Sequence, residues 1–181
     1  MNIELRDIKL TDIEQYLYLN HPSRKFHNFN WPYFKQRSEK ELSNYIKSLE
    51  KNLKNWNNHV LENKKLIVDN NDEIIWEANW YWKSEETLWM EIWIVIFNEG
   101  FWWKWIWYIA LKKWINQLFD TNPKIIRLWL TTWSWNIWMV KLAEKLKFKK
   151  EAVYRKARIV NWKYYDSISY WILRDEWDNI S

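Results

Sequence analysis

Cysteine is absent from this 181-residue chain, glycine occurs once, at Gly100, and proline three times. Without cysteine there are no disulfides, no thiolate nucleophile and no cysteine-ligated zinc, which fits a reducing cytoplasm. Long apolar runs are missing too. The most hydrophobic stretch, 88–111, is broken by Glu91, Glu99 and Lys104, so a membrane span is not expected. The opening MNIELRDIKL is charged from Glu4 onward and lacks the apolar segment of a signal peptide. A cytoplasmic location is therefore expected. His21, His27 and His59 show no ligand spacing, so no metal is expected.

The scarcity of glycine has a counterpart. Ordinary chains carry roughly 7% glycine, about 13 residues at this length, whereas this one carries 19 tryptophans. Tryptophan normally occupies apolar or interfacial sites where its ring can pack. Here it also stands where turn chemistry asks for glycine. Asn161-Trp162 separates two β-patterned runs, EAVYRKARIV and KYYDSISYWIL, where Asn-Gly would make a two-residue type I′ hairpin. That turn needs positive φ at both central residues. The same mismatch is expected at Trp56 in NWNN and at Trp135 in SWN.

Net charge is +5, an excess that suits a polyanionic cofactor or simple solubility. Basic residues cluster between Lys141 and Arg158, the mark of a solvated helix face and hairpin, or of a phosphate or RNA contact. The length suits one domain with a real core; residues 1–177 are expected to form it, with 178–181 as a tail.

The pattern predicts a strand over Ile3 to Ile8, then a helix capped by Thr11 or Asp12 and running through Asn20. Ser38-Glu39-Lys40-Glu41 forms a capping box before a helix with Leu42, Tyr45, Ile46 and Leu49 on one face. Strands are expected at about His59 to Val68 and Glu73 to Trp82, turning at Asp69-Asn70-Asn71-Asp72, with a third over Thr87 to Phe97. A helix from about Lys104 to Phe119 places Ile106, Ile109, Ala110, Trp114 and Leu118 at helical spacing, and Pro123 stops it. A buried strand over Ile125 to Thr131, a helix over Asn136 to Leu146 and the hairpin complete the chain. The order β-α-α-β-β-β-α-β-α-β-β is a mixed α/β (α+β) sheet flanked by helices.

The segment most informative about chemistry is the strand Trp89 to Phe97, a turn, then FWWKWIWYIALKKWI. With glycine at 103, 105 and 107 it reads W-G-K-G-I-G at a helix start. It then resembles the pyrophosphate loop of the GNAT N-acetyltransferases, Arg/Gln-x-x-Gly-x-Gly/Ala between the central strand and its helix. Helix N-termini bind anions through unpaired N–H groups and the helix dipole, and glycines let phosphates approach the main chain. RLWLTTWSWNIWMVKLAEKLKFKKE and NWKYYDSISYWILRDEW are similar to the same family's C-terminal segments, nearest to the branch of ribosomal-protein alanine acetyltransferases. The likeness is good over about Ile74 to Trp177 and loose before it.

In that comparison Trp31, Trp56, Trp76, Trp93, Trp103, Trp105, Trp107, Trp129, Trp135, Trp138, Trp162 and Trp171 stand at family glycines. Trp80, Trp82, Trp89, Trp102, Trp114, Trp133 and Trp177 look authentic. Twelve such glycines and Gly100 make 13, the number that composition leads one to expect. A UGA codon read as glycine in the cell and as tryptophan by another translation table produces this exchange and no other. Lys147, where the family prefers the glycine of G-F, is not explained this way.

The resemblance implies a GNAT-like sheet splayed between its fourth and fifth strands and ending in a β-hairpin. It also implies acetyl-CoA as cosubstrate and transfer of an acetyl group to a primary amine by direct attack in a ternary complex. Main-chain groups of Ile94, Val95 and Ile96 would meet the pantetheine arm. Trp102, Trp103, Lys104, Trp105, Ile106 and Trp107 would form the phosphate loop. Asn136 matches a family asparagine at the cofactor, with a pure helix cap as the plain alternative; Ser134 could do either job. A base must free the amine of its proton. Glu91 is the first candidate, against the plain reading of a half-buried carboxylate paired with Lys or Arg; Glu77 is the reserve, and Asp166 and Glu151 follow. Tyr164, Tyr165 and Tyr170 read as sheet packing before substrate contact. Many relatives keep a tyrosine acid where this chain has Ala143, so another group must protonate the leaving thiolate, or none does.

The acceptor is expected to be an amine-bearing small molecule, a protein N-terminus or a lysine, with no membrane or nucleic-acid partner, and the chain a monomer or homodimer. Two other classes compete. A non-catalytic acyl-CoA-binding regulatory domain would keep the phosphate loop and tolerate loss of Glu91 and Glu77. A surface stacking on single-stranded nucleic acid would need exposed rings beside Lys and Arg.

Overall fold

A computed structural model of the protein describes residues 2–28, 32–55, 63–97 and 106–180. The elements are β1 (Glu4–Arg6), α1 (Ile13–Leu19), α2 (Glu39–Lys54), β2 (Lys64–Val68), β3 (Ile74–Ser84), β4 (Trp89–Ile96), α3 (Ile106–Thr121), β5 (Arg127–Trp133), α4 (Ile137–Lys145), β6 (Lys149–Val160), β7 (Lys163–Leu173) and α5 (Arg174–Asp178), with 3₁₀ turns at Leu10–Asp12 and Lys25–Asn28. This is the expected order with a short terminal helix added. The strands form one mixed seven-stranded sheet in the order β1-β2-β3-β4-β5-β7-β6, the α/β architecture expected from the sequence.

The chain forms two compact units, 1–79 with 94–106, and 80–93 with 107–181. In the first, β1 pairs antiparallel with β2, and β2 with β3. The Ser38 capping box forms as expected: Glu41 N–H donates to Ser38 Oγ (3.3 Å) and Ser38 N–H to Glu41 Oε2 (2.7 Å). Leu42, Ile46 and Leu49 are buried, as the periodicity requires, while Tyr45 is half-buried. At the expected Asp69–Asp72 turn, Asp69 Oδ1 accepts from the N–H groups of Asn71 (2.8 Å) and Glu73 (3.0 Å).

In the second unit, β5 pairs antiparallel with β7, and β7 with β6. Among the described residues the parallel ladder between β4 and β5 consists of Met90 opposite Leu128 and Glu91 opposite Trp129. The hairpin turns at Asn161 (φ 48°) and Trp162 (φ 62°), both left-handed as a type I′ turn demands. Trp135 is not left-handed, so the glycine requirement expected there is absent from its backbone; Trp56 lies outside the described residues.

Two other expectations are corrected. Ile109 is 42% exposed, because the buried stripe of α3 runs through Ile106, Ala110, Leu111, Trp114, Ile115, Leu118 and Phe119. β5 starts at Arg127 rather than Ile125 because Arg174 takes the preceding carbonyls: its Nε donates to Ile125 O (2.9 Å), and its NH2 group to Phe119 O (3.0 Å) and Asn122 O (2.8 Å). That segment bonds to the guanidinium through Ile125 O and to the Arg174 main-chain N–H through Ile126 O (2.8 Å), outside the paired strand.

α4 ends in a Schellman motif. Phe148 N–H donates to Ala143 O (2.9 Å) and Lys147 N–H to Glu144 O (3.0 Å), with Lys147 at φ 64°. Glycine usually fills this place because a Cβ is crowded there. The family's preference at 147 thus has a local cause.

Candidate active site

Alternation along β3 puts Glu77, Asn79, Tyr81 and Lys83 on one face. Its two ends serve different clusters.

In the first unit, Glu77 is 5% exposed. Its Oε1 lies 3.0 Å from Lys64 Nζ and accepts from Asn79 Nδ2 (2.8 Å); its Oε2 accepts from the Tyr16 hydroxyl. Lys64 also donates to the hydroxyls of Tyr16 (2.8 Å) and Tyr45 (3.3 Å). Burial opposes the Lys64 charge, yet Glu77 and Tyr45 outweigh it and hold the ammonium pKa above its ordinary value. Burial, then the Glu77 charge, lifts the Tyr16 phenol well above its usual range. Both Glu77 oxygens are therefore engaged, the geometry of a satisfied buried ion pair.

In the second unit, Glu91 is 2% exposed and accepts the Tyr81 hydroxyl on Oε2. Burial raises its carboxyl pKa; Tyr81, Thr131, Lys83 and Arg158 pull the other way without cancelling it. A raised carboxyl suits acid–base work because it exchanges its proton nearer neutrality. The ring of Trp129, the ladder partner of Glu91, stacks on that of Trp171 across β5 and β7, with centroids 5.0 Å apart and planes within 11°. Trp89 packs against both at 5.2 Å. Lys83 lies 4.9 Å over the Trp129 ring and Arg127 3.5 Å over that of Trp171.

Of the expected cofactor residues, Trp102, Trp103, Lys104 and Trp105 lie outside the described residues. Ile94 and Val95 are buried in β4, and Ile96 is its last residue. Ile106, buried, opens α3, and half-buried Trp107 follows in its first turn. Asn136 caps α4, its Oδ1 accepting from Met139 N–H (3.2 Å). Ser134 and Asp166 interlock: Asp166 N–H donates to Ser134 Oγ (3.0 Å) and Ser134 N–H to Asp166 O (2.9 Å). Asp166 Oδ1 also accepts from Lys156 N–H (2.8 Å), and Glu151 pairs with Arg127 (2.9 Å). Tyr165 packs edge-on against Trp133, and Tyr170 is fully buried; Tyr164 is 62% exposed and so is not a packing residue.

Sequence reasoning missed Tyr81, Lys64 and Tyr16. The polar alternation Glu77-Asn79-Tyr81-Lys83 within an aromatic strand is the signal that points to Tyr81. Lys64 and Tyr16 carry no local signal, since their partner lies on other elements.

The family description "Acetyltransferase (GNAT) domain" matches residues 2–149. Among curated proteins none matches. Spermidine N-acetyltransferase from Vibrio cholerae, solved in complex with CoA and spermine, superposes with a TM-score of 0.76 at 18% identity, over 98% of each chain. A probable acetyltransferase gives 0.74 at 18% identity, over 97% of this chain and 94% of its own. The GNAT-family acetyltransferase from Bacillus anthracis gives 0.72 at 17% identity, over 97% of each. At these identities the likeness is one of fold.

Proposed function

The chain belongs to the GNAT acetyltransferase family, and on that basis we propose that it acetylates a primary amine by direct attack on acetyl-CoA in a ternary complex, with Glu91 as general base. Acetyl-CoA-dependent N-acetylation is the activity of the family; the acceptor and the residue roles are our reading. The observation that carries it is Glu91 itself, a buried carboxylate on β4 with a raised pKa and a phenol hydroxyl on one oxygen. Glu77 is the weaker candidate, because Lys64, Asn79 and Tyr16 already occupy both its oxygens.

Main-chain groups of Ile94, Val95 and Ile96 would carry the pantetheine arm. The loop of Trp102, Trp103, Lys104, Trp105, Ile106 and Trp107 would receive the pyrophosphate. α3, described over Ile106–Thr121, directs the positive end of its dipole toward its N-terminal side, the sign that favours an anion. Asn136 and Ser134 serve first as cap and turn lock. Residues 1–177 act as one domain in the cytoplasm.

The acceptor follows either the resemblance to ribosomal-protein alanine acetyltransferases, a protein N-terminus, or the likeness to spermidine N-acetyltransferases, a polyamine. The deciding assay follows release of CoA thiol with an alanine-initiated peptide, a lysine peptide and spermidine. Glu91→Gln should lower turnover by roughly 10²–10⁴-fold on whichever amine reacts. No turnover of any amine alongside tight acetyl-CoA binding would instead support a regulatory domain.

We also propose that the natural protein carries glycine at the twelve family-glycine tryptophans. Trp162 supports this: it holds a left-handed backbone while 95% exposed, so its indole gains no packing in return for the strain. The gene decides it. UGA at those twelve codons and UGG at the other seven is expected, and an unpartitioned mixture would refute it.

A further inference from the structure

We propose that Tyr81 is the proton relay of the active site, carrying protons between the reacting groups and the buried Glu91 carboxylate. This rests on Glu91 being the base. At 2% exposure Glu91 is too enclosed to meet an amine directly, whereas Tyr81 is half-buried and its hydroxyl donates to Glu91 Oε2. The phenol is therefore the accessible end of the pair.

The groups facing the carboxylate come from three strands: Tyr81 and Lys83 on β3, Thr131 on β5 and Arg158 on β6. Lys83 and Arg158 are cations, donors only, and cannot accept the proton that the ammonium gives up. The Thr131 hydroxyl is fully buried, so it offers no end open to a reacting amine. Of these four groups, Tyr81 combines a bond to the carboxylate with access.

The relay balances. The amine nitrogen bonds to the thioester carbonyl carbon, and the carbon–sulfur pair leaves with sulfur. The surplus ammonium proton passes to the Tyr81 oxygen as the Tyr81 proton passes to Glu91 Oε2. On the return the Glu91 proton goes back to Tyr81, whose own proton goes to the thiolate. The products are amide and free thiol, with Tyr81 and Glu91 restored. The same pair thus supplies the acid that Ala143 cannot.

The test compares the full-length chain with Tyr81→Phe, Glu91→Gln and the double variant, at saturating acetyl-CoA, using the fastest of the three probe amines. Tyr81→Phe should lower kcat at least about tenfold with little change in the KM for acetyl-CoA. It should also move the acid limb of the pH–rate profile upward, because a hydrogen bond to the charged carboxylate favours that form. The double variant should be no slower than Glu91→Gln, as for groups acting in one unit. A substrate-free readout accompanies the kinetics: the ¹³C carboxyl titration of Glu91 should shift upward in Tyr81→Phe. Glu91→Gln slow, with Tyr81→Phe at full kcat and an unmoved limb, overturns the relay and leaves the base standing. Glu91→Gln at full speed overturns the base, and the relay with it.

Discussion

Lys64 Nζ lies 3.0 Å from Glu77 Oε1, with the lysine side chain 15% exposed and the glutamate 6%. A buried pair of this kind is costly to break from one side, about 3–5 kcal/mol, because the survivor is left charged and unpaired. Glu77→Gln should therefore lower the urea midpoint sharply, whereas Glu91→Gln should not. Denaturation of the two variants side by side separates the structural carboxylate from the chemical one. Equal loss of stability in both would remove that distinction.

Glu91 should also make stability depend on pH. Its folded pKa is raised by burial, so the folded state binds its proton more tightly than the unfolded chain. Its contribution is favourable below the ordinary glutamate value of about 4.3 and is lost as pH rises from there through the raised folded value. Glu91→Gln should flatten that fall in stability. Turnover needs the carboxylate free of its proton and should fall as pH drops through the same raised value. Thermal melts and pH–rate profiles check both.

Relief of left-handed backbone strain is expected at two sites. The αL conformation costs a residue with a Cβ roughly 1–2 kcal/mol, and glycine gives part of that back as unfolded-state freedom. Lys147→Gly at the end of α4 and Trp162→Gly at the hairpin should each gain about 0.5–1 kcal/mol. The two should add, being in separate turns. Neither change should alter kcat.

Glycine at 103, 105 and 107 should tighten acetyl-CoA binding by at least about a hundredfold. That is the worth of two or three charge-assisted hydrogen bonds to the pyrophosphate at roughly 1.5–3 kcal/mol each, partly offset by loop ordering. Calorimetric titration of the triple variant and the parent chain measures it. Equal, tight binding would move the phosphate site away from this loop.

The order of elements is legible in the sequence because each carries its own period and punctuation. Ser38 and Glu41 announce α2, Asp69 to Asp72 a turn, and Asn161-Trp162 a hairpin whose two φ values follow from type I′ geometry alone. The boundary of β5 is not legible, because Arg174, far along the chain, claims the carbonyls before it. The site divides the same way. Glu91 is visible as a carboxylate inside the most apolar strand, and its partner Tyr81 sits ten residues earlier on the neighbouring strand β3. The Tyr16–Glu77 bond joins residues 61 positions apart, and nothing local at Tyr16 marks it.

The sheet's two outer strands are β1 and β6. β1 is only three residues long. β6 is twelve, long enough to invite a stray strand from another molecule. It is spared by its irregularity. Register shifts fall between Lys150 and Ala152 and between Tyr154 and Arg158, and Asp166 pins the second by accepting from Lys156 N–H. Bulges bend and twist a strand away from flat pairing, and Lys149, Lys150, Arg155, Lys156 and Arg158 add like charge along it. The bulge that Asp166 pins works against strand-to-strand pairing at this edge, and straightening β6 by Asp166→Ala is expected to show first as aggregation on refolding.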